Sequence, residues 1–211
     1  MDLDFKLPGA VTEILGRLES FGYEAYVVGG CVRDCIMGKN PNDWDIATNA
    51  LPEKVIECFK GYKVIYTGLK HGTVTVLIGG APFEVTTFRI DGDYSDNRRP
   101  DNVTFTSSIE EDLSRRDFTI NAIAYNPQVG SVDPFGGCKD IETRQIRCVG
   151  NPDRRFGEDA LRILRALRFS SVLGFAIEED TDRSVHKNKN LLSNISAERI
   201  NMELCKLITG A

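Results

Sequence analysis

"YVVGGCVRD" (residues 26–34) and "DWDIAT" (residues 43–48) decide the fold of this 211-residue chain. The apolar run of the first segment breaks at Gly29 and Gly30, and the residues that follow predict a helix that Gly38 ends. This order predicts a strand, a tight turn and a helix. Backbone N–H groups at such a helix start attract phosphate, and glycines let an anion approach because they lack a Cβ atom. The two glycines are therefore candidate phosphate-binding residues.

Two acidic residues open the second segment. Asp43 and Asp45 are two positions apart in a predicted strand, so their carboxylates leave the same face, where repulsion raises a pKa unless a cation lies between them. Mg²⁺ prefers one or two carboxylates together with phosphate oxygens and water. The pattern predicts a Mg²⁺ site beside a nucleoside triphosphate that lies on the glycine turn. The alternative is a turn residue at Asp43 and a solvated strand residue at Asp45.

The composition is that of an ordinary globular protein. With 41% apolar residues, the chain can bury one substantial core or two small ones. No apolar run approaches the roughly twenty residues that span a bilayer, so we expect no membrane partner. The six cysteines form no Cys-x-x-Cys pair and only two histidines are present, which disfavours zinc. Free thiols in a reducing cytoplasm are the expectation.

The charge is unevenly distributed. A net charge of −5 argues against a nucleic-acid partner. However, seven arginines lie in one short span: Arg144, Arg147, Arg154, Arg155, Arg162, Arg165 and Arg168. This cationic region inside an acidic protein is suited to holding a triphosphate.

Glycines, prolines and apolar spacing predict the order of elements up to residue 150. Helices are predicted over residues 8–21 and 51–61, strands over 23–28, 43–47, 62–66, 73–78, 83–88 and 146–149, and a hairpin at Gly79 and Gly80. Asp117 is predicted to cap a helix that runs through Ile120 and Ile123. Together these elements predict an α+β fold, a mixed sheet with helices on one face.

Two further features of this part are candidates for function. Glu84, on a predicted strand, is a candidate third acid beside Asp43 and Asp45, and the alternative is an outward-facing strand residue. The polar segment 89–106, which contains Arg98-Arg99-Pro100, is too long and too charged for a simple connection. It is predicted to be either disordered or functional.

From residue 151 the pattern becomes entirely helical, so we predict a domain boundary near Gly150. A helix predicted over residues 158–173 has apolar side chains on one arc and charged ones on the other half. Ser196 is predicted to cap a final helix, with Ile195 and Ile200 packing together as a hydrophobic staple.

The charged side of the helix over 158–173 carries Asp159, Arg162, Arg165 and Arg168. Helical spacing places Asp159 beside Arg162. A carboxylate that accepts from the amine of cytosine or adenine, with a guanidinium that donates to the ring nitrogen, would select these bases and reject uracil and guanine. Arg165 and Arg168 would then contact phosphates or orient the acid. The alternative is a surface ladder of salt bridges.

The motifs, taken in order, look like those of bacterial-type (class II) CCA-adding tRNA nucleotidyltransferases and their poly(A) polymerase relatives. The resemblance covers nearly the whole chain. It is carried by Gly29-Gly30-Cys-Val-Arg33-Asp34, Asp43-Trp-Asp45, the loop through Arg98-Arg99-Pro100, Arg115-Arg116-Asp117-Phe-Thr-Ile-Asn121-Ala, Asp133-Pro-Phe-Gly136-Gly137, Glu158-Asp159-Ala-Leu-Arg162 to Arg168-Phe169, and Ser196-Ala-Glu198-Arg199-Ile200.

The resemblance implies roles for these residues. Asp43 and Asp45 would bind two Mg²⁺ ions, with Glu84 as the third candidate catalytic acid. The nucleotide would contact the glycine turn and a set of polar residues: Gly29, Gly30, Arg33, Arg116, Asp117, Asn121, Asp159, Arg162, Arg165 and Arg168. Among these, Arg116 and Asp117 would contact the sugar, and Asp159 with Arg162 would select CTP and ATP.

The resemblance also implies a fold and an activity. The expected fold is a polymerase β-like nucleotidyltransferase head over residues 1–150, followed by an all-helical, nucleotide-selecting neck over 151–211, with the chain truncated before the body and tail. The expected activity is transfer of CMP and AMP from CTP and ATP to the 3′ end of tRNA, and the full-length loop argues against CC addition alone. The sequence predicts no oligomeric state.

Three alternatives remain open. A poly(A) polymerase would use ATP only, and an antibiotic nucleotidyltransferase would share the glycine turn and the paired acids. A non-catalytic nucleotide- or RNA-binding fragment is the third.

Overall fold

The computed structural model describes residues 5–92, 94 and 102–210. The predicted loop residues Arg98, Arg99 and Pro100 lie outside the described residues. The helices are α1 (Gly9–Ser20), α2 (Gly30–Ile36), α3 (Pro52–Cys58), α4 (Ile109–Ser114), α5 (Gly137–Glu142), α6 (Pro152–Glu158), α7 (Leu161–Leu173), α8 (Glu179–Asn188) and α9 (Ala197–Thr209). No helix in this part of the chain is both long and apolar enough to cross a membrane.

The strands are β1 (Ala25–Val28), β2 (Asp45–Thr48), β3 (Lys63–Ile65), β4 (Thr73–Ile78), β5 (Ala81–Thr87), β6 (Arg89–Asp91), β7 (Val103–Phe105), β8 (Ala124–Asn126), β9 (Gly130–Val132), β10 (Gln145–Ile146) and β11 (Ala176–Ile177). Seven of them form one sheet in the order β3-β4-β5-β2-β1-β8-β9. Only β2 and β5 pair in parallel, and the other neighbours are antiparallel. The predicted mixed sheet is therefore confirmed.

The centre of the sheet is buried on both faces because its side chains alternate. Val27 packs into the larger hydrophobic cluster, with side chains of α1 and α3, whereas Tyr26 and Val28 pack into a second cluster with Ile109 and Leu113 of α4. The predicted helix over residues 8–21 is confirmed as α1, which buries four apolar residues at helical spacing. The glycine hairpin is also confirmed between β4 and β5.

The helix predicted after Asp117 is wrong. A single 3-10 turn, Thr119–Asn121, follows Phe118, and the chain then enters strand β8 beside β1. This apolar segment is buried throughout, and periodicity alone does not separate a buried strand from a buried helix. The helix of this region is instead α4, which the sequence analysis missed. Ser108 caps α4 by accepting a hydrogen bond from the backbone N–H of Glu111.

The helix predicted over residues 158–173 is confirmed as α7, but it begins at Leu161, three residues later than predicted, and a separate helix, α6, ends at Glu158. Between α6 and α7, Asp159 has an extended backbone with φ −140° and ψ 104°. The predicted last strand is shorter than expected, and its remaining part, β10, pairs in parallel with β11 of the otherwise helical region. Side chains from both sides of residue 150 share the larger hydrophobic cluster, and the boundary there stays a prediction.

Candidate active site

A polar cleft of about 440 Å³ lies where the β1–α2 turn, the segment after α4 and the helix α7 meet. Eleven of the thirteen candidate site residues line it: Gly29, Gly30, Arg33, Asp45, Arg116, Asp117, Asn121, Asp159, Arg162, Arg165 and Arg168. The other two, Asp43 and Glu84, line an adjoining cavity of about 700 Å³ that shares Asp45 with the cleft. The fold thus brings together residues that are up to 139 positions apart in the sequence.

The glycine turn has a backbone that other residues adopt only with strain. Gly29 has φ 80° and ψ −131° and directly precedes α2. A Cβ atom on Gly29 would lie 2.8 Å from Nη1 of Arg116. Glycine is therefore favoured at this position by the turn, and a Cβ atom here would also make the end of the Arg116 side chain shift.

The paired acids lie at the start of β2. Asp45 is its first residue, whereas Asp43 precedes the strand, so the predicted strand begins two residues too early. Desolvation in the cleft raises the pKa of Asp45, even though this residue is exposed to solvent. The positive charge of Arg116 opposes this rise in pKa, and the negative charge of Asp43 adds to it. The negative charge of Asp43 thus acts on the pKa of Asp45 in the predicted direction, as the smallest of these three effects.

Glu84 pairs with Asp45 in the parallel β2–β5 register, and Thr75 of β4 is the next partner in the row. Partners across strands project from the same face. In the part of the chain that the structure describes, however, no three His, Cys, Asp or Glu side chains are arranged to hold a metal ion. A pair of carboxylates is the kind of donor set that suits an ion which takes its remaining ligands from phosphate and water, and Asp43 and Asp45 line the same cavity.

One side of the cleft is held by a chain of polar contacts. Arg33 Nη1 donates to Asn121 Oδ1 at 2.7 Å, and Asn121 Nδ2 donates to Asp117 Oδ1 at 3.2 Å. Arg165 donates through Nε and Nη2 to Asp117 Oδ2, at 2.8 and 2.5 Å. Burial acts to raise the pKa of Asp117, but Arg165 overcomes it and the pKa falls to about 2. These contacts tie α2, the 3-10 turn and α7 together.

Phe169 is a cleft residue to which the sequence analysis gave no role. The guanidinium groups of three arginines lie over its ring, with Cζ to centroid distances of 5.3 Å for Arg33, 5.1 Å for Arg165 and 4.2 Å for Arg168. Arg168 also donates from Nε to Oε1 of the buried Glu203 on α9, at 2.5 Å. An aromatic residue within an arginine-rich helix was the signal that could have identified it.

Asp159 and Arg162 do not pair as helical spacing predicted. Arg199 Nη2 donates to Asp159 Oδ2 at 2.9 Å, whereas Arg162 Nη1 donates to Glu158 Oε2 at 2.8 Å. The prediction fails because Asp159 lies between two helices, where the three-residue spacing of a helix does not apply. Both side chains still line the cleft.

Asp112 is a second residue that the sequence analysis missed. Its side chain is 1% exposed, and its two oxygens accept from Arg115 Nε at 3.0 Å and from Arg116 Nη2 at 3.3 Å. Burial acts to raise the pKa of Asp112, but the two arginines lower it below its usual range. An acid on α4 with arginines three and four residues later, just after the helix ends, was the signal in the sequence.

Fold and cleft together define an α+β protein with an arginine-lined cleft beside paired carboxylates on a mixed sheet. A family model described as "Poly A polymerase head domain" matches residues 25–147, and the chain belongs to this family. A second model, described as "Probable RNA and SrmB- binding site of polymerase A", matches residues 174–211.

Two similar proteins are both named CCA-adding enzyme. The chain is 55% identical over 197 residues to the CCA-adding enzyme of Geobacillus kaustophilus (93% of this chain, 48% of the relative), and 53% identical over 197 residues to that of Lactobacillus delbrueckii subsp. bulgaricus (93% and 49%). It therefore spans about half the length of these relatives.

Solved structures agree with these matches. The Bacillus stearothermophilus CCA-adding enzyme in complex with CTP has a TM-score of 0.88 and 49% identity, covering 96% of this chain and 49% of that one. The Thermotoga maritima CCA-adding enzyme complexed with tRNA has a TM-score of 0.80 and 29% identity, covering 96% and 48%.

Proposed function

We propose that this chain forms the nucleotide-transferring part of a CCA-adding enzyme, which adds CMP and AMP from CTP and ATP to the 3′ end of tRNA. The observation that carries the proposal is the assembly of eleven candidate residues around one cleft. The similar Bacillus stearothermophilus enzyme, whose structure is a complex with CTP, supports it.

The cleft offers each part of a nucleoside triphosphate its own contacts. The turn at Gly29 and Gly30, with Arg33, is proposed to bind the phosphates. Arg116 and Asp117 are proposed to bind the sugar. Arg165 and Arg168 lie near Phe169 and are proposed as further nucleotide-contacting residues, each also paired with an acid, Asp117 and Glu203 respectively.

Base selection is assigned to Asp159 and Arg162. A carboxylate that accepts from the amine of cytosine or adenine and a guanidinium that donates to the ring nitrogen reject uracil and guanine. The guanidinium group of Arg162 is only partly available to donate to a base, because Nη1 and Nη2 already donate to Glu158 and to the backbone carbonyl of Arg115. We therefore expect Asp159 to be the stronger selector of the two.

The paired acids are proposed to hold a divalent metal, Mg²⁺. When bound, the metal supplies positive charge that neutralises the triphosphate and favours ionisation of the primer 3′-hydroxyl. Asp43 and Asp45 would be its protein ligands. Glu84 lies beside Asp45 in the sheet register, so its charge would add to the negative potential that draws the cation.

The two parts of the site come from different parts of the chain. The glycine turn and the acids belong to the sheet, while Asp159 and Arg162 lie around the start of α7. We accordingly propose a catalytic head over residues 1–150 and a nucleotide-selecting neck over 151–211. A cytoplasmic location is proposed because all six cysteines are free thiols.

The test is incorporation of radiolabelled CTP and, separately, ATP into tRNA that lacks its terminal CCA, at high protein concentration with Mg²⁺. We expect two C residues and then one A. Asp43→Ala and Asp45→Ala should abolish transfer, while Glu142→Ala, which removes an exposed acid outside the cleft, should not. CTP and ATP that bind no better than UTP and GTP would overturn the assignment of the site.

Poly(A) addition is the second candidate, because the matching family model carries the name of poly(A) polymerase. A poly(A) polymerase would extend RNA with ATP alone and would ignore CTP. Repeated addition of A without any use of CTP, in the same assay, would establish this candidate over CCA addition.

A further inference from the structure

A groove leads from the paired acids to a basic surface that contains none of the proposed phosphate-binding residues. Its inner part is the cavity of about 700 Å³ that contains Asp43, Asp45 and Glu84. Its outer part is a neighbouring cavity of about 500 Å³ that contains Lys6 and Lys39. The two cavities share the lining residues Pro8 and Trp44 and therefore adjoin each other.

The chemistry of the groove changes along its length. Acids lie at the inner end, the half-buried ring of Trp44 borders both parts, and two exposed lysines lie at the outer end. Within the described residues, neither Lys6 nor Lys39 forms an ion pair. Lysines that contact phosphates, with an aromatic ring on which a base can stack, are the elements that bind single-stranded nucleic acid.

The geometry of nucleotidyl transfer requires a second site beside the acids. The 3′-hydroxyl oxygen bonds to the α-phosphorus while the bond from that phosphorus to the pyrophosphate oxygen breaks, and the hydroxyl proton passes to solvent. The attacking and leaving oxygens lie roughly in line on opposite sides of the phosphorus. The primer must therefore reach Asp43 and Asp45 from a side that the triphosphate does not occupy.

We propose that this groove binds the single-stranded 3′ end of the RNA primer. The terminal nucleotide occupies the inner part beside the acids, a base stacks against Trp44, and the preceding phosphates contact Lys6 and Lys39. This assignment rests on the proposed function, since it takes the cleft on the other side of Asp45 as the triphosphate site. The groove gives the chain a primer-binding surface of its own, separate from the arginine-rich cleft.

Trp44 makes the groove directly testable because it is the only tryptophan of the chain. A single-stranded hexaribonucleotide ending in CC, titrated into the full chain, is expected to quench the tryptophan fluorescence in a saturable way. Lys6→Glu together with Lys39→Glu should weaken this binding at least tenfold. The slope of log affinity against log salt should also fall by about 1.4, since about 0.7 is lost for each single-strand phosphate contact.

The matched control is Lys60→Glu together with Lys63→Glu. It makes the same change in net charge at two exposed lysines that lie outside both parts of the groove, and it should leave the affinity unchanged. Anisotropy of the labelled hexamer measures the affinity independently of Trp44. Equal affinities of the two double variants would overturn the proposal, and so would equally tight binding of a blunt-ended RNA duplex.

Equilibrium dialysis with radiolabelled CTP separates this proposal from the one on which it rests. We expect both double variants to bind CTP as the unsubstituted chain does, because neither changes a residue of the cleft. Failure of the unsubstituted chain to prefer CTP over UTP would contradict the proposed function. Intact CTP binding with RNA affinity insensitive to the groove lysines would contradict the groove alone.

Discussion

Arg199 of α9 donates hydrogen bonds from both terminal nitrogens of its guanidinium group to the carboxylate of Asp159. Nη2 donates to Oδ2 at 2.9 Å and Nη1 donates to Oδ1 at 3.3 Å. Asp159 has an extended backbone between α6 and α7, and its Oδ1 also accepts a hydrogen bond from the backbone N–H of Leu161, the first residue of α7, at 3.1 Å. The proposed base-selecting carboxylate is therefore oriented both by the start of α7 and by a residue forty positions further along the chain.

Replacing Arg199 by alanine is expected to reduce discrimination more than it reduces stability. The pair is partly exposed, so folding should lose only about 1 kcal/mol. Preference for CTP and ATP over UTP and GTP should fall about tenfold, which corresponds to about 1.4 kcal/mol. Competition binding with the four triphosphates measures this preference. Arg199→Lys should show more of the preference than Arg199→Ala does.

Arg183→Ala is the control for this experiment, because Arg183 forms exposed pairs on α8 away from the cleft. Its preference should equal that of the unsubstituted chain. If Arg199→Ala also kept its preference, Asp159 would not depend on Arg199.

Asp112→Asn is expected to weaken nucleotide binding through Arg116. Removing the charge of this buried acid breaks its ion pair with Arg116 and its short ion pair with Arg115, which keeps the longer contact with Asp91 at 3.8 Å, so stability should fall by about 3 kcal/mol. At a temperature where the variant is folded, the KM for CTP should rise about tenfold with little change in kcat, because the proposed contact of Arg116 with the sugar is displaced. Glu110→Gln, on the exposed side of α4, should change neither quantity. A loss of stability with an unchanged KM would show that Asp112 only holds the fold.

Gly29→Ala tests the glycine turn. The backbone conformation alone should cost about 2 kcal/mol, and the new Cβ atom would displace Arg116, whose Nη1 lies 2.8 Å away. We expect weaker CTP binding together with a lower melting temperature. Gly16→Ala is the matched control, since Gly16 lies within α1 with open space around it. That change should stabilise the chain by about 1 kcal/mol; a stable Gly29→Ala that binds CTP normally would contradict the prediction.

The parts of the fold that local rules determine could be predicted from the sequence. The amphipathic spacing of α1 and the Gly79-Gly80 hairpin were correct because each depends on neighbours in the chain. The membership of the cleft was also predicted, through the ordered motifs. The partners of the charged groups were not, because Arg199 reaches Asp159 only after α9 packs against α7. The helix predicted after Asp117 was wrong for a related reason. This segment is buried on both sides, which removes the periodicity that distinguishes a strand from a helix.

Asp117 is expected to make stability depend on acid pH. Its pKa is depressed from 3.8 to about 2 in the folded chain, mainly because Arg165 overcomes the effect of burial. A carboxyl group whose pKa is lower in the folded chain than in the unfolded chain stabilises the fold fully at pH values above its unfolded pKa. This contribution is lost as the pH falls through its folded pKa. The contribution, about 2 kcal/mol, should therefore disappear between about pH 4 and pH 2.

Urea unfolding of Asp117→Asn and of the unsubstituted chain across this window measures the effect. The variant should be less stable at neutral pH, because Arg165 loses its partner, and the difference between the two chains should shrink as the pH falls to 2. Asp153→Asn is an informative control. Hydrogen bonds from Lys187, Ser184 and Asn188 also lower the pKa of Asp153 to about 2, but its side chain is 43% exposed, so solvent screens the pair. We expect the stability of Asp153→Asn to depend on pH as that of the unsubstituted chain does. A difference in stability between Asp117→Asn and the unsubstituted chain that stays constant at every pH would show that Asp117 is not the group that titrates.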